Sequence, residues 1–357
     1  MIQKAVVMKK FICKSVTFFA VMAGLFAGIT AIVLFVIPQQ FGQSYQHALE
    51  RQYESLQQMR SPKVVVLGDS SVPFSLNAPL MGKILKMPVQ TLGIHSGTGL
   101  KYILRLSESN IRKGDILVVE LVPLKDDDFS PGMALTACEN DFSMYRYFSA
   151  REWQKVIAFY PSYLLAKVKY AMRIRDVQMS SYSGKSFDAD GNYDYPRKDC
   201  TLPRPLPRAE RETTFRRSDY PEDALSFLNR YIEACRQKGA RVLITFPPYL
   251  DESLESSPAE IDGLQSYLSD RLHAPVITKI QSRALPRRYI YNNVTHCNTA
   301  GANKVTTDLT HEIRNYLAGL KDNPADREAL NSDHYEGRQG SAFPLLSGAV
   351  GRLKGSN

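Results

Sequence analysis

No charged residue occurs between Val16 and Ile37, and this stretch limits the possible folds more strongly than any other. As an α-helix that rises about 1.5 Å per residue it is roughly 33 Å long, which is enough to cross a hydrocarbon layer of about 30 Å. The apolar core of a cleaved signal peptide spans only about 7–15 residues, and no small-residue cleavage site follows this stretch. We therefore predict a transmembrane anchor over residues 16–37, with a cleaved signal peptide as the alternative.

The charges on either side of the anchor predict its orientation. The far side begins with the uncharged residues Pro38-Gln39-Gln40, whereas the near side carries Lys4, Lys9, Lys10 and Lys14. Basic flanks remain in the cytoplasm. We therefore predict a single pass through the cytoplasmic (inner) membrane, with residues 1–15 cytoplasmic and the bulk of the chain on the extracytoplasmic, periplasmic side.

Composition and motifs exclude several classes of function. The 357 residues are 44% hydrophobic and 23% charged, as in an ordinary folded chain. The formal charge of +9 is divided between the N-terminal lysines and a later arginine-rich loop, so it does not form one stripe that could follow a phosphate backbone. Zinc-like Cys/His spacings, a Walker loop and a dinucleotide-binding glycine pattern are all absent from the sequence. We predict no metal, no cofactor and no nucleic-acid partner.

Short apolar runs alternate with segments of helical period after residue 61. The runs are Val64–Leu67, Val89–Leu92, Ile116–Leu121, Val242–Phe246 and Val276–Ile277. Strands that alternate with helices favour a parallel sheet covered on both faces. We predict an α/β fold with three layers and a mostly parallel, five-stranded sheet.

Breaks in this alternation divide the chain. The Gln-rich residues 38–61 are predicted to form a juxtamembrane spacer, and residues 62–320 the α/β domain. A large insertion of helices and loops interrupts this domain at about residues 125–220, and two helices are predicted in it, over Ala150–Phe159 and Ser162–Arg175. The polar, Gly-rich residues 321–357 are predicted to be a flexible tail.

Two cysteines of the insertion leave alternatives open. In an oxidising extracytoplasmic space, Cys138 and Cys200 could pair, since both lie in the same inserted segment. The alternative is that they are free thiols, buried as small apolar residues.

The first apolar run leads directly into Gly68-Asp69-Ser70. Functional residues of an open parallel sheet collect beyond the carboxyl ends of its strands, which is where Ser70 would lie. Gly68 permits the tight turn that this requires. The tripeptide alone favours an ordinary strand-ending turn, in which Ser70 caps a helix, over the alternative of a turn that presents a nucleophilic serine.

A polar loop near the end of the domain, from Tyr291 to Thr299, contains His296. The loop leads into a helical segment that starts with small residues. A histidine in this position can reach across the sheet edge to Ser70 and act as general base for its hydroxyl. The alternative is a solvated loop histidine or a capping residue.

Together these motifs resemble the SGNH/GDSL hydrolase superfamily, and most closely its membrane-anchored, cell-envelope branch of polysaccharide acyltransferase-like and esterase-like proteins. The similar regions are about Pro62–Phe129 and Tyr220–Leu320. The resemblance implies a flavodoxin-like fold. It further implies that Ser70 is the nucleophile, that His296 is the base, and that the Asp-x-x-His acid position corresponds to Asn293. An oxyanion hole formed by the N–H groups of Gly93 and Ser70 is implied as well.

Two departures from the family pattern concern the chemistry. Asn293 replaces the acid, and in a serine-protease triad the Asp-to-Asn exchange lowers turnover by about ten-thousandfold. The family's Gly-x-Asn-Asp block is missing, and the corresponding strand carries Glu120 instead. Glu120 would oppose a developing oxyanion unless it points away or orients His296 in place of the lost acid.

The resemblance therefore supports two functions of different classes. The first is a membrane-anchored acyl esterase or O-acyltransferase that acts on a cell-envelope polysaccharide or lipid-linked glycan, with a membrane-bound acyl-donor protein as a further expected partner. The second is a non-catalytic SGNH-like component that binds glycan or a partner in a polysaccharide assembly. The distance between the Ser70 hydroxyl and the His296 ring distinguishes them, because catalysis requires about 2.6–3.2 Å.

Overall fold

The computed structural model describes residues 2–37, 39–124, 129–172, 181–207, 215–254 and 258–322. Helix α1 (Ile2–Ala31) continues as a π-helical segment over Ile32–Val36. The part from Val6 to Val36 is long and apolar enough to cross a membrane, and only a small share of it is buried by the rest of the protein. The uncharged stretch at residues 16–37 is therefore helical, apart from its last residue.

Four parallel strands form the main sheet: β1 (Val64–Leu67), β2 (Val89–Leu92), β3 (Ile116–Glu120) and β4 (Arg241–Thr245). Their order is β2-β1-β3-β4, so β1 and β3 occupy the centre. Every residue of β1 and β3 is buried, as expected for strands covered on both faces. The chain passes from β1 outward to β2 and then returns to form β3 on the other side of β1, followed by β4. The strand order therefore reverses between β1 and β3.

The segment Val276–Ile277, predicted as a fifth strand, forms only a single bridge. Val276 pairs with Ile244 of β4, through hydrogen bonds of 2.9 Å from Ile244 N to Pro275 O and from Ile277 N to Ile244 O. Pro275 has no N–H with which to extend the ladder. The main sheet therefore has four strands within the described residues. A separate pair of short parallel strands lies nearby, β5 (Tyr249–Leu250) with β6 (Ala284–Leu285).

Helices connect and cover the strands. After α1, the described helices are α2 (Ala48–Gln58), α3 (Ser71–Ser75), α4 (Ala78–Leu85), α5 (Leu100–Glu108), α6 (Pro131–Ala137), α7 (Ala150–Ala171), α8 (Glu222–Gln237), α9 (Pro258–Arg271) and α10 (Thr299–Asp322). Helices α2 and α4 pack near β2, and α5 packs against both β1 and α8. The alternation of strands and helices that the sequence predicts is thus confirmed as an α/β fold.

The segment predicted to be a spacer, residues 38–61, contains α2, which is part of the core. Leu49, Tyr53 and Leu56 on this helix are fully or almost fully buried. The Gln52 side chain on the same helix is also fully buried. The prediction missed this packing because α2 shows only a narrow apolar stripe among Glu, Gln and Arg residues.

The insertion contains one long helix where two were predicted. Helix α7 runs without interruption through Pro161. Residues on both sides of the proline, Val156 and Leu164, are buried in the same core, which holds the two halves in line. Cys138 and Cys200 are both free, and Cys138 is buried with its Sγ 3.3 Å from the Tyr102 hydroxyl.

The contacts within the chain divide it into a large unit that ends at Asn315 and a second unit from Tyr316 onward. Within the second unit the structure describes the end of α10, to Asp322. The predicted flexible tail, residues 321–357, lies outside the described residues from position 323 on.

Candidate active site

The turn after β1 places Ser70 at the carboxyl edge of the sheet. β1 ends at Leu67, and Ser70 is the N-cap residue of the short helix α3. A Cβ atom added to Gly68 would lie 2.5 Å from Val72 Cγ2 and 3.2 Å from Glu120 Cβ. Only glycine therefore fits at position 68 without displacing its neighbours. The strand order reverses between β1 and β3, which is where sheets of this kind form a binding crevice.

Two carboxyl groups hold this turn, the partly buried Asp69 and the fully buried Glu120. Asp69 Oδ1 accepts hydrogen bonds from Ser71 N, at 2.8 Å, and from Ser71 Oγ, at 2.7 Å. Glu120 Oε1, at the end of β3, also contacts Ser71 Oγ. A hydroxyl has one proton to donate, so Ser71 can satisfy both carboxyls only if one of them is protonated. Burial raises the pKa of Glu120 to about 7, although Ser71 and Arg283 oppose this rise, so Glu120 is the carboxyl that carries the proton below about pH 7.

The His296 ring lies within hydrogen-bonding distance of the serine. His296 Nε2 is 3.0 Å from Ser70 Oγ, although the two residues are 226 positions apart in the sequence. The ring is 3% exposed and stacks on Phe74 of α3, with ring centroids 4.1 Å apart and planes 2° from parallel. Ser75 Oγ donates to Thr295 O at 3.0 Å and ties the same helix to the histidine loop. The structure thus brings the two predicted residues together in the geometry of a nucleophile and its base.

The second ring nitrogen of His296 is held by Asn292, one residue before the predicted Asn293. His296 Nδ1 is 2.9 Å from Asn292 Oδ1, and Asn292 Nδ2 donates to the Tyr182 hydroxyl at 3.1 Å. Since an amide oxygen can only accept, the ring carries its proton on Nδ1 and offers the lone pair of Nε2 to Ser70.

Asn293 has a different role from the one predicted for it. Its Oδ1 accepts hydrogen bonds from Thr295 N, at 3.1 Å, and from Thr295 Oγ1, at 3.3 Å. Asn293 therefore stabilises the turn of the loop and does not contact the ring through a hydrogen bond. Glu120, the other residue considered for orienting His296, binds Ser71 instead.

Electrostatics keep His296 neutral. Burial, together with the neighbouring Arg197 and His95, lowers the pKa of His296 to about 3. A neutral imidazole can accept the Ser70 proton. Among the described residues, no carboxylate is hydrogen-bonded to the ring, so the imidazolium formed by that transfer receives little stabilisation from them.

Arg197, from the insertion, connects the two halves of the site. Its Nη2 donates to Phe74 O at 2.6 Å, and its Nε donates to Cys297 O at 2.7 Å. The backbone N–H of Arg197 also donates to Thr299 Oγ1, at 3.2 Å. One buried guanidinium thus joins the helix that follows Ser70 to the loop that carries His296.

Gly93, predicted to supply an oxyanion-hole donor, is already engaged. Its N–H donates to Gln52 Oε1 at 3.1 Å, and that side chain is fully buried. A Cβ atom at position 93 would lie 2.5 Å from Gly68 O, so glycine is required for the loops after β1 and β2 to touch. The structure therefore supports a packing role for Gly93, and its N–H can reach an oxyanion only if Gln52 moves away.

A cavity lies beside the turn, and a larger cleft shares one lining residue with it. The smaller one measures about 180 Å³, and Asp69, Ser71 and Thr295 contribute to its lining. Pro123 lines both this cavity and a larger cleft of about 420 Å³. Five basic and two acidic side chains line the larger cleft: Lys101, Arg105, Arg151, Lys155 and Arg230, with Glu152 and Asp223. The smaller cavity therefore borders the turn through the two neighbours of Ser70, and the cleft that shares Pro123 with it carries an excess of positive side chains.

The sequence reasoning missed Asn292, Arg197, Phe74 and Gln52. Asn292 was adjacent to the predicted position and could have been retained as an alternative to Asn293. The other three carry no local signal, because each acts on residues far away in the sequence.

Among the described residues, no group of three or more His, Cys, Asp or Glu side chains is placed to hold a metal ion.

Comparisons with known proteins add no further constraint. No family model matches the chain, and no curated protein matches it either.

Proposed function

We propose that this protein is a membrane-anchored serine esterase or O-acyltransferase of the SGNH type. The observation that carries the proposal is the 3.0 Å contact between Ser70 Oγ and His296 Nε2, in a ring whose tautomer suits a general base. The strand order β2-β1-β3-β4 also agrees with the first four strands of the flavodoxin-like order.

The site residues suggest the following steps. His296 Nε2 takes the hydroxyl proton as Ser70 Oγ bonds to the carbonyl carbon of an ester. The C–O bond to the leaving alcohol then breaks, and the proton on His296 passes to the alcohol oxygen. Water or a sugar hydroxyl next attacks the acyl-serine and gives its proton to His296. The bond between the acyl carbon and Ser70 Oγ then breaks, and His296 returns the proton to Oγ. The Ser70 N–H would stabilise the oxyanion, and such a donor is worth about 3–4 kcal/mol in enzymes where it has been measured.

Anchoring and charge suggest the class of substrate. We propose that α1 spans the cytoplasmic membrane with its lysines inside, which confines the site to the extracytoplasmic membrane surface. A polysaccharide or lipid-linked glycan made at that surface would be within reach. The basic cleft at Pro123 favours an acidic acceptor, because its lining carries an excess of positive side chains. A membrane-bound protein that delivers the acyl group would be a further partner.

Other features of the same site favour the second function, a non-catalytic glycan- or partner-binding module. His296 is oriented by an amide, and its depressed pKa makes it a weak base. The N–H of Gly93 is bonded to Gln52.

Covalent labelling separates the two functions. The full-length chain in detergent is treated with a fluorophosphonate, and the adduct is located by mass spectrometry. We expect an adduct on Ser70 that is absent from Ser70→Ala and strongly reduced in His296→Ala. The Ser96→Ala variant, which changes an exposed serine on the loop after β2, is the matched control and should be labelled like the wild type. If no adduct depends on Ser70, the enzyme proposal is wrong and the binding module is preferred.

A further inference from the structure

Helix α7 presents an apolar face to the outside of the protein. From Val156 to Ala166 it contains no charged residue. Ile157 is 67% exposed and Leu165 56% exposed, and Ala158 and Pro161, which lie on the same side of the helix, are exposed between them. Outward-facing helix residues of a domain surrounded by water are normally polar, so a continuous apolar face of this kind needs a covering.

The other side of α7 is buried in the domain, which leaves the apolar face pointing outward. Val156, Tyr163 and Leu164 are buried in the core. Lys167 is also buried, and its Nζ forms an ion pair of 2.7 Å with Glu139. The helix is therefore attached firmly to the domain, and its apolar face cannot turn inward.

The apolar face of α7 is continuous with the apolar helix α1. The Tyr160 ring on α7 lies 6.3 Å from the Phe26 ring, and Phe142, shortly before α7, lies 6.3 Å from Phe35. Phe26 and Phe35 both belong to the apolar stretch Val6–Val36. Along the helix, Phe26 lies about 15 Å before Val36, the C-terminal end of this stretch, at a rise of 1.5 Å per residue. The middle of α7 therefore lies at the level of residues that would be inside a membrane.

Basic residues flank the apolar part of α7 on both sides: Arg151 and Lys155 precede it, and Lys169 follows it. Interfacial helices commonly combine an apolar face with basic residues, which interact with anionic lipid headgroups while the apolar side chains enter the acyl region.

We infer that α7 lies in the outer leaflet of the membrane, with Ile157 and Leu165 in contact with lipid acyl chains. This inference rests on the proposed anchoring by α1. Two helices in contact with the bilayer, instead of one, fix the orientation of the domain and hold the Ser70 site at a constant height above the membrane.

Tryptophan fluorescence provides the test, because the chain has a single tryptophan, Trp153, at the start of α7. In a Trp153→Phe background, a new tryptophan is placed at Ile157 or, as the control, at the exposed Arg236 on α8. The full-length variants are reconstituted into phosphatidylcholine and phosphatidylglycerol vesicles that contain lipids brominated at known depths. We expect shallow bromines to quench roughly half of the Ile157→Trp emission, because an interfacial helix lies about 5–10 Å deep, and to leave Arg236→Trp unaffected.

Flotation of the same vesicles separates the two proposals. If the chain floats with the vesicles but Ile157→Trp is not quenched, the inference about α7 is overturned and the anchoring proposal stands. If the chain does not float, the anchoring proposal itself fails.

A photo-crosslinking amino acid at position 157, used in native membranes, directly identifies what covers the apolar face of α7. Capture of lipid supports the inference. Capture of a single protein would show that a partner covers this face, and would overturn it.

Discussion

The two halves of the candidate site are built differently. The turn that carries Ser70 is held largely by near neighbours in the sequence, through the Asp69–Ser71 hydrogen bonds and the contact between Gly68 and Val72. The loop that carries His296 depends on distant segments, since Arg197 donates to Cys297 across 100 positions of the sequence and to Phe74 across 123.

This difference predicts different consequences of mutation. The turn after β1 is part of the packed edge of the sheet, so changes there should mainly affect folding stability. The histidine loop is oriented by a few side-chain contacts, so changes there should mainly affect the rate of the reaction. Four predictions test this distinction on the full-length chain in detergent.

The largest effect is expected from the pair Asn292→Ala and Asn293→Ala. Removal of Asn292 leaves the His296 ring without its orienting partner, and activity on a small ester should fall by about 100-fold, the upper range for loss of such supporting contacts. Asn293→Ala removes only a turn contact and should retain most of the activity. The measurement is kcat/KM together with the thermal midpoint of each variant. Equal losses in the two variants would contradict the assignment of Asn292.

Gly68→Ala should destabilise the protein by about 2 kcal/mol, because its new methyl group overlaps Val72 and packed cores resist added volume. The matched control is Gly263→Ala on α9, where an added Cβ meets nothing within 4 Å. Alanine favours a helix over glycine, so this control should be neutral or slightly stabilising. Unfolding by denaturant gives the free energy of unfolding of both variants. If Gly68→Ala is as stable as the wild type, the turn is not tightly packed.

Arg197→Met should lower kcat by about tenfold with little change in KM, because a 1 Å displacement of His296 would weaken its contact with Ser70. The loss of the positive charge should also raise the pKa of His296, so the acid limb of the pH–rate profile should move to higher pH. Arg236→Met, at an exposed position on α8, is the control. A stability loss without a shift of the acid limb would indicate that Arg197 only supports the fold.

The smallest effect is expected from Glu120→Gln, in the dependence of stability on pH. Burial raises the pKa of Glu120 to about 7, whereas that of a glutamate in an unfolded chain is about 4.3. The protonated form therefore contributes stability that is complete at low pH and is lost as the pH rises through 7. Compared with Glu120→Gln, the wild type should lose about 1 kcal/mol between pH 6 and 7.

The matched control for this effect is Glu312→Gln, which changes an exposed residue of α10. Its stability should depend on pH as that of the wild type does. If Glu120→Gln also follows the wild type, Glu120 does not hold a proton in the folded protein, and the proton assignment in the carboxyl pair is wrong.

The sequence by itself determined the α/β class, the apolar N-terminal helix and the position of Ser70 after β1. Each of these depends on local properties, namely apolar runs of strand length, helical periodicity and a glycine turn. The sequence also placed His296 in a loop that follows the last strands, because the polar loop and the helix start after it are local signals as well.

Only the tertiary structure decided the contacts that define the site. Arg197 joins Phe74 to the histidine loop, and Gln52 occupies the Gly93 N–H, only because distant segments pack together. Asn292 rather than Asn293 holds His296 because of how the loop turns, which the spacing of the residues does not show. The number of strands was decided in the same way, since Val276 pairs with β4 in a single bridge next to Pro275. Local patterns report which elements form, but hydrogen bonds between segments far apart in the sequence exist only once those elements are assembled.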